Sequence, residues 1–426
     1  MTIRSIIVAG GGTGGHLFPG IAVVEELRRR IPGVDVTFVG TARGIEARVL
    51  PAQGERLELL DVEPLKGRSA RERMRSLAML PGALARARAI LAAHRPELVI
   101  GVGGYASGPM LVAAASRGIA TAILEQNARV GLTNRLLAPI AGRAYVAFEE
   151  ARAELGRRAL LFGNPVRRAF VDAARAASSD PDGFEARART ILVIGGSQGA
   201  RALNETVPEA LARLGPAARG LRIVHQTGAA MRDAVAARYA ALGVEAEVTP
   251  FVDDMARAYA SAALVIARAG ATTLAEVCAI GRPSILVPYP YAADDHQAKN
   301  AEALERAGAA IAIREGELSV ERLASAARRV LDDPASQKAM AEAARRHGRP
   351  DAAAAIVDDL FAWLGGPPVE RAPEASEADD DGGSGVRFAT VDFTAGRALR
   401  RHAPRITQPP PPAYLSVIAA SAATEH

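Results

Sequence analysis

The chain has 426 residues, which is room for two or three domains, and its apolar fraction of 49% is enough for sizeable hydrophobic cores. A net charge of +5 and an aromatic content of 4% argue against a nucleic-acid partner, because nucleic-acid-binding proteins need broad basic surfaces and aromatic stacking platforms. The single cysteine, Cys278, excludes an intrachain disulfide and fits a reducing cytosol, and neither a signal peptide nor an apolar stretch of the ~18–20 residues that cross a bilayer is evident.

Short apolar runs alternate with amphipathic stretches in the first part of the chain. The apolar runs predict buried strands at 5–10, 36–40, 97–104, 121–126 and 143–148. The amphipathic stretches predict helices at 21–30, 85–94 and 108–118. This alternation is typical of a parallel sheet that is covered by helices on both faces.

The same order of elements starts again at residue 189. Residues 189–214 repeat a strand, a glycine-rich turn and a helix, and further strands are predicted in RIVHQTG, AEVTPFV, ALVIARAG and RPSILVPYP. We therefore predict an α/β fold with two Rossmann-like halves that face each other across a cleft, divided near 163–170. Residues 366–426 are rich in Pro, Asp and Glu and lack a long amphipathic pattern, so we expect a disordered tail.

The first predicted strand leads into the glycine-rich stretch GGGTGGHLFPG (10–20). Glycines at the start of a helix bring unpaired N–H groups close to a ligand, and the helix dipole favours a negative charge there. A nucleoside-triphosphate loop would need Lys and then Ser or Thr after the last glycine, where this chain has His16 and Leu17. The stretch therefore predicts a phosphate or sugar site of another kind.

The literal dinucleotide pattern G-x-G-x-x-G is also present in this stretch. A dinucleotide site needs a carboxylate at the end of the second strand to bind the ribose, but that strand ends at Gly40 and Thr41. The nearest carboxylate, Glu46, lies beyond the strand end, so the pattern gives little support to an NAD-dependent oxidoreductase.

Glycine-rich turns recur after later strands, at 101–109, 195–200 and 267–276. Ligands of open α/β sheets bind outside the carboxyl ends of the strands, so these turns are expected to converge on the cleft. Such a cleft suits a sugar nucleotide on one side and an acceptor on the other.

Eight motifs stand in the order found in the MurG family of bacterial glycosyltransferases. They are GGTGGHLFPG (11–20), GGYASGP (103–109), EQN (125–127), GNPVR (163–167), GGSQGARALN (195–204), FVDDM (251–255), RAGATTLAE (268–276) and HQAKNA (296–301). The chain resembles this family over about residues 3–364. The resemblance implies a GT-B fold and inverting transfer of N-acetylglucosamine from UDP-N-acetylglucosamine to the 4-hydroxyl of the muramoyl sugar of lipid I, which gives lipid II for peptidoglycan. It implies no cofactor.

The resemblance also implies a division of labour along the chain. Residues 1–165 would bind the acceptor and the membrane, 166–349 would bind UDP-N-acetylglucosamine, and 350–365 would form a helix that crosses back to the first domain. The tail at 366–426 lies outside the family pattern.

The resemblance assigns most donor contacts to the second domain. Glu276 would accept hydrogen bonds from the ribose hydroxyls, since the two oxygens of a carboxylate suit a vicinal diol. The diphosphate would lie at the helix start formed by Ala271, Thr272, Thr273 and Leu274, with Ser197 in a second loop. Val252 would contact the uracil, Gln297 the sugar hydroxyls, and Arg167 would bring a cation to the cleft. Without the motifs, Glu276 would be interpreted as a charge at a helix end and Val252 as a core residue. Gln297 would be interpreted as a surface residue and Arg167 as a linker residue.

The resemblance assigns the acceptor to the first domain, near Thr13, Gly14, Gly15 and Asn127. His16 is the candidate general base, because the usual pKa of histidine suits proton removal near neutrality. Two alternatives for His16 stay open, orientation of a phosphate and capping of the helix. Glu125 is a second candidate base.

No metal site is predicted. His296 lies beside Asp294 and Asp295, but three adjacent polar residues in a loop are more typical of solvated side chains than of metal ligands. A GT-B enzyme can stabilise the leaving diphosphate with helix dipoles and N–H groups.

Residues 64–91 combine basic and apolar side chains. The cations are Lys66, Arg68, Arg71, Arg73, Arg75, Arg86 and Arg88, against one acid, Glu72. Met74, Leu77, Leu80 and Leu84 could form an apolar stripe, and Pro81 predicts a kink or a break. The pattern favours a helix on an anionic membrane surface, although an ordinary surface helix would look similar. We expect a peripheral position on the cytoplasmic face of the inner membrane, with other cell-wall enzymes as candidate partners.

Three further functions stay open on sequence alone. They are a GT-B enzyme with a different acceptor, an NAD-dependent oxidoreductase, and a nonenzymatic sensor of sugar nucleotides. GGYASGP and EQN favour the lipid I acceptor over another one. Loss of turnover with retained UDP binding in a His16 variant would distinguish an enzyme from a sensor.

Overall fold

The computed structural model describes residues 3–63, 70–179, 188–196, 199–215, 220–292 and 295–365. The predicted tail at 366–426, the predicted site residue Ser197 and residues 64–69 of the basic segment lie outside these ranges.

Seven parallel strands form the first sheet, in the order β3-β2-β1-β4-β5-β6-β7. Their bounds are β1 Ser5–Ala9, β2 Asp35–Gly40, β3 Leu57–Leu59, β4 Leu98–Gly101, β5 Ala120–Glu125, β6 Arg143–Val146 and β7 Ala159–Leu161. The interior strand β1 is covered on both faces, as its apolar run requires. The five strands predicted in this half are confirmed. The edge strands β3 and β7 are three residues each, too short to leave a pattern.

Seven α-helices among the described residues connect the strands of this half and lead out of it. Their bounds are α1 Gly14–Arg30, α2 Glu46–Ala52, α3 Ala70–His94, α4 Ser107–Ala115, α5 Leu132–Leu137, α6 Glu149–Leu155 and α7 Arg168–Ser179. Two sequence predictions are corrected here. Helix α1 begins at Gly14 instead of residue 21, so the last two glycines of the loop and His16 form its first turn. Helix α3 continues through Pro81 without the break that we considered.

Six parallel strands form the second sheet, in the order β10-β9-β8-β11-β12-β13. Their bounds are β8 Thr190–Ile194, β9 Arg222–Gln226, β10 Glu247–Thr249, β11 Ala262–Ala267, β12 Ser284–Leu286 and β13 Ile311–Ala312. The helices of this half are α8 Arg201–Ala212, α9 Arg232–Ala241, α10 Met255–Ala260, α11 Ala271–Ile280, α12 His296–Arg306, α13 Val320–Leu331, α14 Pro334–His347 and α15 Ala352–Leu364. Every residue of β8 and β11 is buried. The prediction of two Rossmann-like halves is confirmed.

The final helix, α15, packs on the first sheet's side of the molecule. Ile356, Val357, Leu360 and Phe361 lie in the same hydrophobic core as the first sheet and α1. Asp359 accepts hydrogen bonds from Arg143 Nε at 2.9 Å and from the Tyr145 hydroxyl at 2.8 Å. These contacts agree with the crossing helix expected at 350–365, while the exact domain boundaries stay a prediction.

In the part of the chain that the structure describes, none of the helices combines the length and the apolar character needed to span a membrane.

Candidate active site

The two halves contact each other where helix starts and strand ends meet. At 3.4 Å, the Thr272 hydroxyl, in the first turn of α11, donates to the carbonyl of Gly15 in the first turn of α1. Pro19 has no N–H to donate to that carbonyl within α1, so the carbonyl is available to the other half. A second contact joins the Ala128 N–H to Asn300 Oδ1 on α12 at 3.0 Å. The predicted loops therefore lie on facing walls of one cleft.

The carboxylate of Glu46 holds the first glycine loop in place through hydrogen bonds. Its side chain is 1% exposed, and its carboxylate accepts hydrogen bonds from the Gly12 N–H at 2.7 Å, the Thr41 N–H at 2.9 Å and the Thr41 hydroxyl at 3.0 Å. Gly10, Gly11 and Gly12 all have positive φ values, which glycine adopts without strain. A buried carboxylate at the Gly12 amide would repel a dinucleotide phosphate, and this argues further against the NAD interpretation.

Replacing Glu46 by alanine should lower the free energy of unfolding by about 3 kcal/mol, because it leaves three partly buried donors on Gly12 and Thr41 without an acceptor. Denaturant titration followed by circular dichroism measures this change. Glu149 is the matched control, since its side chain is 63% exposed and its ion pair is with the exposed Arg152. Glu149→Ala should change stability by less than about 1 kcal/mol. Equal effects of the two substitutions would contradict the assigned role of Glu46.

The second glycine loop, at 101–109, interlocks with the first. The Gly11 N–H donates to the Gly103 carbonyl at 3.2 Å, and the Ser107 hydroxyl donates to the Ala9 carbonyl at 2.7 Å. A Cβ atom on Gly104 would lie 2.5 Å from the Gly11 carbonyl oxygen, so only glycine allows this approach. The two loops form one rigid wall of the cleft, which we call the acceptor wall.

His16 lies at the junction of these two loops. Its Nδ1 is 3.3 Å from the Thr13 hydroxyl, and its ring packs so closely on Gly103 that a Cβ there would approach Cδ2 to 2.7 Å. Burial lowers the pKa of His16 below its usual 6.5; the nearby Glu125 carboxylate acts in the opposite direction, but burial prevails. The imidazole is therefore neutral near pH 7, and one ring nitrogen of a neutral imidazole carries a lone pair.

Glu125 is 3% exposed and binds four donors. Oε1 accepts from the N–H and Nδ2 of Asn127 at 3.1 and 3.2 Å, and Oε2 accepts from the Gly131 N–H at 2.9 Å and Asn134 Nδ2 at 3.0 Å. A carboxylate has about four lone-pair sites, and all of them are used here. These bonds position Asn127 at the cleft. The catalytic role of Glu125 stays a prediction that this geometry does not favour.

The first turn of α11 presents the predicted diphosphate site. Thr272 and Thr273 are partly exposed, whereas Ala271 and Leu274 are buried, Leu274 to 2% exposure. Leu274 packs in the hydrophobic core, so it could contact a ligand only through its backbone. The first N–H groups of this helix lack acceptors within it and favour an anion, whereas the Thr272 hydroxyl already donates to the Gly15 carbonyl.

Glu276 and Arg167 form an ion pair that the sequence did not reveal. Arg167 Nη2 is 3.2 Å from Glu276 Oε1, and the two side chains are 25% and 8% exposed. The Arg167 guanidinium also lies 4.8 Å from the Phe18 ring centroid and 5.1 Å from that of Phe170, so it joins α1 to α7. Burial raises the pKa of Glu276 above its usual 4.5, and Arg167 opposes that shift. Glu276, the predicted ribose ligand, and Arg167, the predicted cleft cation, are thus joined in one ion pair.

The remaining predicted residues occupy the rim of the second half. Val252 is partly buried and packs against the core beside β8 and β11. Gln297 accepts a hydrogen bond from the Tyr289 N–H at 3.0 Å and so supports the loop after β12. Their ligand contacts stay predictions.

The segment HQTG (225–228) supports the glycine loop of the second half, a role that sequence reasoning missed. Gln226 Nε2 donates to the Gly196 carbonyl at 3.0 Å, and Asn204 Nδ2 donates to the Thr227 carbonyl at 3.0 Å. His225 is fully buried between Asn204 and Tyr239, and burial lowers its pKa to about 4. A buried polar residue directly after a strand is the signal that could have indicated this support.

The metal prediction can be examined only in part. No cluster of three or more His, Cys, Asp or Glu side chains suited to a metal ion occurs among the described residues. Asp294 is not among those residues.

Comparison with known proteins places this site in a family. The chain matches the model of the glycosyltransferase family 28 N-terminal domain over residues 6–146 and that of the family 28 C-terminal domain over 190–356. It is 49% identical to a Geobacter sulfurreducens protein, over 84% of this chain and 98% of that protein, and 47% identical to a Sorangium cellulosum protein, over 92% and 93%. Both are named UDP-N-acetylglucosamine–N-acetylmuramyl-(pentapeptide) pyrophosphoryl-undecaprenol N-acetylglucosamine transferase.

A solved structure agrees with these relatives. The crystal structure of MurG from Acinetobacter baumannii is 32% identical, covers 84% of this chain and 99% of its own, and superposes with a TM-score of 0.66. The match confirms the predicted GT-B fold. The chain therefore belongs to glycosyltransferase family 28 and, within it, to the MurG family of N-acetylglucosaminyltransferases.

Proposed function

We propose that this chain transfers N-acetylglucosamine from UDP-N-acetylglucosamine to the 4-hydroxyl of the muramoyl sugar of lipid I, the undecaprenyl-diphosphate-linked muramoyl-pentapeptide. The names of relatives that are 47–49% identical support this substrate pair. The structural observation that carries the proposal is the position of His16. Its neutral ring lies on the acceptor wall, where the start of α11 meets the Gly15 carbonyl.

The chemistry is a single displacement. The His16 imidazole takes the proton of the acceptor hydroxyl, and the hydroxyl oxygen forms a bond to the anomeric carbon of the donor sugar. The bond between that carbon and the UDP oxygen breaks, and its electron pair leaves with the diphosphate. Attack opposite the leaving group inverts the anomeric configuration.

The start of α11 stabilises the leaving diphosphate. The N–H groups of its first turn and the helix dipole favour the negative charge that develops on UDP. Glu276 binds the ribose hydroxyls, and its pairing with Arg167 opposes the rise in its pKa that burial causes. Asn127, which Glu125 positions, contacts the acceptor.

Transfer to a lipid I analogue tests the proposed function. With UDP-N-acetylglucosamine carrying a labelled sugar, we expect label in the lipid fraction and one UDP released per sugar transferred. The matched control is an acceptor that lacks the 4-hydroxyl, which should receive no sugar. Tight binding of UDP-N-acetylglucosamine without transfer would instead favour the sugar-nucleotide sensor.

Exposed apolar side chains on the first half support membrane contact. Met74 and Leu80 on α3 are 72% and 39% exposed, and Leu136 on α5 is 67% exposed. Helix α4 contacts both α3 and α5, so these side chains lie on neighbouring helices. Arg88 adds an exposed cation to α3. We propose that this surface lies on the anionic cytoplasmic face of the cell membrane, where a lipid-linked acceptor would be met.

Replacing Met74 and Leu80 together by serine should weaken binding to anionic vesicles about tenfold, because less apolar surface enters the membrane. Vesicle sedimentation measures the partition coefficient. Leu242→Ser is the matched control, since Leu242 is 37% exposed but lies in the second half of the chain. A similar loss with Leu242→Ser would contradict this membrane surface.

A further inference from the structure

A charged cavity of about 660 Å³ lies between the two halves, beside the loop that carries Asn127. Its walls come from the loop after β5, from α5 and α6, and from α12. The lining residues are Ala128, Arg129, Arg135, Glu150, Glu154, Lys299, Glu302 and Arg306. The hydrogen bond from the Ala128 N–H to Asn300 ties the two walls together beside it.

All three carboxylates of the cavity already have cationic partners. Glu154 pairs with Arg135 at 2.7 Å, and Glu150 pairs with Arg306 across the two halves at 3.5 Å. Glu302 pairs with Arg314. Each carboxylate in the described lining therefore has a counterion.

Two cations of the cavity have no such partner. Arg129 and Lys299 make no ion pair with any residue that the structure describes. Arg129 projects from a loop that is held firmly, because Val130 beside it exchanges hydrogen bonds with Arg135 at 3.2 Å and with Glu154 at 3.3 Å. A preformed cavity with two uncompensated cations is suited to an anion with separated carboxylates.

The position of the cavity relates it to the acceptor. Helix α12 starts at His296, which is close enough to His16 for their charges to interact, and runs from there into the cavity wall. At a rise of ~1.5 Å per residue, Lys299 and Arg306 lie ~4.5 and ~15 Å along the axis from His296. A pentapeptide spans at most ~17 Å when extended. A peptide attached to the reacting sugar would therefore reach the whole cavity.

The nucleotide of the donor lies at the other end of the cleft in the proposed function, whereas the donor sugar reaches Gln297 at the start of α12. Val252 follows β10, which forms one edge of the second sheet, whereas α12 follows β12, next to the opposite edge. The nucleotide and the cavity thus do not compete for space.

We infer that this cavity binds the carboxylates of the acceptor's pentapeptide, with Arg129 and Lys299 as the recognising cations. The inference rests on the proposed function and adds a peptide subsite to it. The affinity for the acceptor then depends on the charge of the peptide, whereas the chemical step at His16 does not depend on that charge.

The test compares two lipid-linked acceptors, one with free peptide carboxylates and one with the same carboxylates converted to carboxamides. Each partly exposed ion pair contributes a few-fold, so Arg129→Met with Lys299→Met should raise KM for the carboxylate acceptor about tenfold. KM for the carboxamide acceptor and KM for UDP-N-acetylglucosamine should stay unchanged. Lys338→Met, at an exposed position on α14, is the matched control and should alter neither acceptor's KM.

Equal changes for both acceptors, or no change for either, would overturn the peptide subsite while leaving the proposed function intact. Absence of transfer to either acceptor by the unaltered chain would overturn the proposed function itself.

Discussion

Replacing His16 by alanine is expected to lower kcat by about 10²–10⁴-fold, the range typical of losing a general base, with donor affinity nearly unchanged. His16 contacts Thr13 and Gly103, both on the acceptor wall. The proposed donor groups lie in the second half and do not depend on the imidazole. Transfer rates give kcat, and calorimetric titration with UDP gives donor affinity.

A second variant protects this prediction from a folding defect. His16→Gln keeps a polar side chain of similar reach, so it should preserve the thermal midpoint and still lose turnover. An unchanged kcat in either folded variant would remove His16 as the base and leave orientation of a phosphate as its role.

The pH dependence follows from the lowered pKa of His16. Because burial moves that pKa below 6.5, the base is unprotonated at neutrality, and kcat should be flat there. As the pH falls through the lowered pKa, protonation removes the base, and kcat should fall with it. Donor affinity should decline separately at acid pH, since the raised pKa of Glu276 brings protonation of its carboxylate closer to neutrality. If kcat of His16→Gln still falls at acid pH, the fall belongs to the titration of another group.

Replacing Glu276 by glutamine is expected to raise KM for UDP-N-acetylglucosamine between about tenfold and 100-fold, with a smaller effect on kcat. The substitution removes one acceptor from the ribose site and leaves the Arg167 cation without its counterion. A hydrogen bond to a buried charged group contributes about 1.5–3 kcal/mol, which corresponds to this range. Initial rates at varied donor concentration measure the change.

Two further variants sharpen the test of Glu276. Arg167→Met should also weaken donor binding, and the double variant should lose less than the sum of the two, because the side chains form one ion pair. Glu321→Gln is the control, since Glu321 is 67% exposed and forms an ion pair with Arg213 on the surface. Additive effects at Glu276 and Arg167 would show that the two groups act independently.

Much of the fold could be predicted because parallel strands are buried on both faces. An apolar run such as that of β1 or β11 is most stable as an interior strand of a sheet that helices cover on both faces. The start of α1 could not be placed in this way. Glycine disfavours helix, so Gly14 and Gly15 look like a turn. The structure shows that the Thr13 carbonyl accepts from the N–H groups of His16 and Leu17, and that Thr272 binds the Gly15 carbonyl from the other half.

The site residues were found by motif, but their partnerships were not. Glu46 lies 34 residues from Gly12, and Arg167 lies 109 residues from Glu276. No local pattern links such positions, since they come together only when each half folds. For the same reason the four donors on Glu125, which point to a positioning role, emerge only from the structure.

The configuration of the product tests the central claim most directly. UDP-N-acetylglucosamine carries an α-linked sugar, so direct displacement assisted by His16 must give a β-linkage at the 4-hydroxyl of the acceptor. Proton NMR of the isolated product reads this configuration from the coupling constant of the anomeric proton. We predict a single β-linked N-acetylglucosamine per acceptor. An α-linked product, or no product from folded chain that still binds UDP, would contradict the account.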